Sequence, residues 1–136
     1  MYPAGWEQRT LTERMASTGV IVFATNRTTD TGAVLSAVKR QGITDLMTYA
    51  SSRRAGQANN LTDVQQSPVS QIQVNGKNGV RFDVTGALKS GQKLTYLVTL
   101  IEGTAEIVVL NTWTTVANFE LQRDAMGKLA ENITGF

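Results

Sequence analysis

Three groups of residues in this 136-residue chain have the types and spacing of known chemistry. Ser36-Ala37-Val38-Lys39 has the Ser-x-x-Lys spacing of acyl-transferring enzymes, and Lys89-Ser90-Gly91 imitates a further motif of the same enzymes. That chemistry needs the serine at a helix N-terminus with the lysine one turn later. Here both residues fall in an apolar run that reads as a strand, where positions three apart point to opposite faces. The match is therefore a coincidence of spacing. Asp83, Glu102 and Glu106 are carboxylates that a strand meander could pair as acid and base. Asp83 lies between Phe82 and Val84, so alternation predicts that it faces solvent as a surface charge. Arg53-Arg54, followed by a polar stretch with Asn59 and Asn60, is the best basic spot. It is the candidate partner- or anion-binding site, for a phosphate, a lipid headgroup or an acidic protein. The plainer alternative is the last turn of a helix, where arginine complements the dipole. Trp113 and Phe119 are candidate pocket residues for a small apolar ligand, and Trp6 reads as a packing anchor.

The chain contains no histidine and no cysteine. This removes Ser-His-Asp triads, thiol nucleophiles, ordinary zinc sites and disulfides. No catalytic residue, metal site or cofactor is therefore expected. The formal net charge is only +2, and no aromatic residues interleave with the basic ones, so no nucleic-acid partner is expected. No run approaches the roughly 20 apolar residues of a membrane span. No leader is visible either, and membrane association is expected only through an N-terminal anchor upstream of these residues. Three Asn-x-Ser/Thr sequons begin at Asn26, Asn60 and Asn132 and would matter only on a eukaryotic secretory route.

The elements that must position these groups follow from periodicity. The length suits a single domain over residues 1–136. Trp6 to Ala16 reads as one or two short strands. Val20 to Thr25 and Ala33 to Arg40 read as a hairpin across the turn-rich Asn26 to Gly32. Thr44 and Asp45 start a helix whose inner face carries Leu46, Met47, Tyr49 and Ala50, ending near Gly56. Gln57 to Ser67 reads as loop. From Val69 the alternation is β, with turns at Asn75-Gly76, Asn78-Gly79 and Lys89-Ser90-Gly91. Leu94 to Ile101 and Ala105 to Trp113 pair, and are apolar on both faces. They are therefore expected to be central strands covered on both sides. A C-terminal helix capped by Thr114 or Thr115 places Val116, Phe119, Met126, Leu129, Ala130 and Ile133 on one stripe. Gly127 within it allows close packing, and Gly135 stands where the helix stops. The fold class is α+β: an α/β/α sandwich around a mainly antiparallel sheet, with a mid-chain helix and a long C-terminal helix.

The element order and several landmarks resemble the PsbP/Mog-like superfamily, especially the bacterial DcrB-like lipoprotein group. The landmarks are Pro3-Ala4-Gly5-Trp6, the helix entry Ile43-Thr44-Asp45-Leu46, and Asn75 to Phe82 leading into an aromatic strand. The resemblance implies an α/β/α sandwich and non-enzymatic roles as photosystem accessory, Ran-binding or envelope proteins. It carries over no catalytic residue. The acidic surface of Ran-binding members and the metal-binding histidines of some photosystem members have no counterpart here. The expectation is therefore a non-catalytic accessory or protein-interaction domain of a bacterial envelope protein, placed in the periplasm or cell envelope, with the cytoplasm as the other location. The alternative is a carrier domain for a small molecule or lipid, with a cleft between the sheet and the C-terminal helix.

Overall fold

In the computed structural model, which describes residues 5–17 and 19–132, the chain order is β1 (Glu7–Arg9), α1 (Glu13–Ser17), β2 (Val20–Asn26), β3 (Thr31–Lys39), α2 (Leu46–Ala58), β4 (Thr62–Gln66), β5 (Ser70–Val74), β6 (Lys77–Ala87), β7 (Lys93–Glu102), β8 (Glu106–Thr115) and α3 (Val116–Lys128). A 3-10 turn, Leu129–Asn132, extends α3. The strands form one antiparallel sheet in the order β1-β2-β3-β8-β7-β6-β4, and β5 also pairs with β6. The N-terminal hairpin and the later meander join along β3 and β8, from Thr31 opposite Thr114 to Lys39 opposite Glu106.

Alternation on the central strands produces the layers. On β7, Tyr96, Val98 and Leu100 face α2, where they pack with Ala50, Phe82, Val84 and Val109. Leu97 and Ile101 face the opposite way, toward α3 and its 3-10 extension. The sandwich expected from the two-sided apolar pattern is the fold observed. Threonines buried on the α3 side are hydrogen-bonded, as buried hydroxyls must be. Thr112 Oγ1 donates to the Leu97 carbonyl at 2.7 Å, and Thr114 Oγ1 to that of Asp30 at 3.0 Å.

Local chemistry sets the element ends. Asp45 caps α2, accepting from the backbone N–H groups of Met47 and Thr48 at 3.3 Å each. Of the two threonines that could cap α3, Thr115 does so, accepting from Asn118 N–H at 3.3 Å. Asn75 and Gly76 both have positive φ, 52° and 80°, as a two-residue type I′ hairpin requires.

Several expectations need correction. Trp6 to Ala16 holds one strand and a short helix. The loop expected over Gln57 to Ser67 contains the tail of α2 and then β4, a polar edge strand with Val64 alone turned inward. Asn78 and Gly79 belong to β6 and form no turn. α2 runs past Gly56 to Ala58. Val116 is exposed, at 42%, so it leaves the apolar stripe of α3. Asp83 does not simply face water: it turns toward α3 and meets Arg123 at 3.6 Å. Pro3, Ala4, Ile133 and Gly135 lie outside the described residues.

Candidate functional site

Trp113 stands on β8 in register with Gly32 of β3 and Tyr96 of β7. A Cβ on Gly32 would lie 2.4 Å from Trp113 Cε2 and Cζ2, so glycine alone leaves room for the indole. Phe23 stacks on one side with ring centroids 6.4 Å apart and planes at 29°, and Tyr96 flanks the other at 6.4 Å and 47°. The result is an aromatic row across the sheet beyond the end of α2. Burial raises the Tyr96 phenol above its ordinary pKa, so it stays a neutral donor.

Beside this row lies an open cavity of about 620 Å³, floored by Phe23 and Trp113 and edged by Arg9, Arg27 and Asp30. Arg9 is held in place by a 2.7 Å hydrogen bond from Nε to Thr25 Oγ1 and by Glu7 at 3.4 Å. The cavity thus combines a π surface with two guanidinium groups, the residue types that anchor recognition surfaces.

Phe119 does not share this cavity. It is buried with Leu97 and Met126, and Leu97 projects from the face opposite its chain neighbour Tyr96. Trp113 and Phe119 therefore sit on opposite sides of the sheet. The space expected to be a cleft between sheet and C-terminal helix is filled there by apolar side chains. Along that interface lies an open cavity of about 410 Å³, edged by Arg81, Arg123, Asp124 and Lys128, with Ile72, Val74 and Leu97 also in its lining. Burial lowers the Arg81 guanidinium from its ordinary pKa, and Glu131 opposes that effect. Arg81 donates Nε to Thr99 Oγ1 at 2.9 Å and Nη2 to the Gly127 carbonyl at 3.0 Å.

Arg53 and Arg54 are neighbours on α2 with different tasks. Arg54 Nη1 donates to the Ser67 carbonyl at 2.8 Å and ties the helix to the β4–β5 connection. Arg53 Nη1 donates to Tyr49 Oη at 3.1 Å, with its guanidinium 5.8 Å from that ring's centroid. Arg53 also lines a separate cavity of about 400 Å³ between α2 and the sheet, with Gln57 and Asn111. Reading the sequence missed Asn111. Its signal was a polar side chain in the row Ile107, Val109, Asn111, Trp113, where the pattern calls for an apolar one.

The carboxylates are not assembled as an acid–base pair. Glu102 is paired with Arg40, Asp83 with Arg123, and Glu106 is exposed. Ser36 and Lys39 lie within β3, away from any helix start. Among the described residues, no three Asp or Glu side chains come together to hold a metal ion. No helix among them is long and apolar enough to cross a membrane.

No family model matches the sequence, and no curated protein matches it either. Solved structures do match its fold. CyanoP, the cyanobacterial PsbP of Synechocystis sp. PCC 6803, aligns over 99% of this chain and 84% of its own, with TM-score 0.72 and 14% identity. LpqN of Mycobacterium tuberculosis, described as involved in cell envelope biogenesis, aligns over 96% and 78%, with TM-score 0.61 and 15% identity. PA94 of Pseudomonas aeruginosa, a protein of unknown function, aligns over 78% and 73%, with TM-score 0.64 and 17% identity. The eight-stranded sheet with α2 packed on one face and α3 on the other is a PsbP-like fold.

Proposed function

We propose that this chain is a non-catalytic accessory domain of the bacterial cell envelope, periplasmic and of the DcrB-like kind, that works by contact with a protein partner. The observation that carries the reading is the aromatic row beyond α2. Phe23 and Trp113 are left partly open to solvent between Arg9 and Arg27. Tryptophan and arginine are the residue types most enriched among interface anchors. The PsbP-like fold supports the reading, because LpqN, which shares it, is involved in cell envelope biogenesis.

Site-specific photo-crosslinking in the source cells tests this. A photoreactive residue at exposed position 27 should capture one defined protein. The same residue at position 120, on exposed α3, should not. Trp113→Ala should abolish the position-27 product. Equal products from both positions, or a product indifferent to Trp113→Ala, would overturn the contact reading.

A carrier role is the second reading, favoured by the volume of the Trp113 cavity. It places a small ligand on the α2 side of the sheet. A ligand retained in native mass spectrometry and lost in Trp113→Ala would support it over protein contact.

A further inference from the structure

The cavity between α2 and the sheet has features that the contact reading does not use. Asn111 lies in the middle of β8, opposite Val34 on one side and Val98 on the other. Its Nδ2 donates to Gln57 Oε1 at 3.1 Å. Its Oδ1 is buried and receives no hydrogen bond from any described residue. A buried acceptor without a donor is destabilising, and a valine in the same row would avoid the cost. The side chain borders the cavity of about 400 Å³ that Arg53 also lines. Arg53 spends one N–H on Tyr49 and forms no ion pair among the described residues. Among the described residues no acidic side chain lines this cavity, while Phe82 and Val98 form part of its wall.

We propose that this cavity binds a small organic anion: a carboxylate with a hydroxyl on the neighbouring carbon and an apolar tail. The carboxylate meets the Arg53 guanidinium, which is built for planar anions. The hydroxyl meets the Asn111 amide once that side chain turns its buried oxygen toward the cavity. A hydroxyl can both donate and accept, so it suits the site whichever way the Asn111 and Gln57 amides are turned. An ammonium group in place of the hydroxyl is disfavoured, because the lining holds a cation and no counter-charge. The tail lies toward Phe82 and Val98. The registered pair Tyr96–Trp113 stands between the pairs Val98–Asn111 and Leu94–Thr115 along the sheet, so it separates this site from the Trp113 cavity. The proposal therefore stands or falls independently of the cross-linking result.

The test titrates the whole chain with 3-phenyllactate and follows the side-chain amides of Gln57 and Asn111 by NMR. Two matched compounds are run beside it: 3-phenylpropionate, which lacks the hydroxyl, and 3-phenyllactamide, which lacks the charge. Saturable shifts at both amides are expected with 3-phenyllactate. Each matched compound, and the variant Arg53→Met, should bind about tenfold more weakly or worse. Asn111→Val should lose binding while its melting temperature rises by about 3 °C or more. Equal binding of the three compounds, or no binding of any, overturns the proposal. A lower melting temperature for Asn111→Val also overturns it, because the asparagine would then be serving the fold.

Discussion

The indole of Trp113 occupies the space in which residue 32 would carry a side chain, 2.4 Å from an ideal Cβ on Gly32. This is a cross-strand pair in which an aromatic ring covers a glycine. The ring is rigid and flanked by Phe23 and Tyr96, so it cannot swing aside cheaply. Gly32→Ala should therefore destabilise the domain by about 1–3 kcal/mol, the usual cost of overpacking. Urea unfolding measures this. Adding Trp113→Leu to Gly32→Ala should cost less than the sum of the two single changes, and strict additivity would show that the ring is not the obstacle.

At Gly127 two effects oppose each other. Alanine gains about 1 kcal/mol of helix propensity over glycine. Its Cβ, however, would stand 3.0 Å from Nη1 of Arg81, whose guanidinium donates Nε to Thr99 and Nη2 to the Gly127 carbonyl itself. Gly127→Ala should be neutral to mildly destabilising in the parent. In an Arg81→Ala background it should stabilise by about 1 kcal/mol. A double-mutant cycle by chemical denaturation reads the coupling, and a parallel gain in both backgrounds would contradict it.

Acid should act on the start of α2. The Thr48 hydroxyl above all holds the Asp45 carboxyl below its ordinary value of 3.8; desolvation opposes it by more than either the Met47 or the Thr48 backbone N–H helps. A depressed folded-state pKa means stabilisation that is complete above the unfolded value and is lost as pH falls through the folded one. Below pH 3.8, stability should fall partly through this residue. Asp45→Asn keeps a capping side chain but has no titration, so it should flatten that part of the curve. Thermal melts between pH 5 and pH 2 on both proteins decide it; superimposable pH profiles would count against the cap.

Arg54 should matter to one edge of the sheet. Its bond to the Ser67 carbonyl holds the junction between β4 and β5, where Ser67 also exchanges hydrogen bonds with the Asp83 backbone. Arg54→Met should speed amide exchange across residues 62–70 by about tenfold and leave β7 and β8 protected. Uniformly faster exchange would mean global destabilisation.

The layered fold was readable because β7 and β8 are apolar on both faces, which only a central, doubly covered strand requires. β4 was not, because an edge strand needs few apolar residues and is protected by polar ones. Val116 fits the helical stripe by spacing, but the α3 entry turns it outward, which periodicity alone cannot show. The sites were less legible. Trp113 and Phe119 are six residues apart in the chain, yet the passage from β8 into α3 carries them to opposite faces. Arg53 and Arg54 look like one charge pair, but helical spacing sends adjacent residues to different neighbours. Asn111 was visible as a break in alternation, but only its buried, unpaired oxygen gives that break a meaning.

The seam between β3 and β8 bears on how the chain matures. β3 is made early in synthesis, and its Val34, Leu35, Ala37 and Val38 wait for partners some seventy residues downstream. Until β8 has left the ribosome, the N-terminal hairpin presents a long apolar edge that can pair with any other strand it meets. Such a chain completes its sheet late and all at once, and is best kept unfolded by an escort until then.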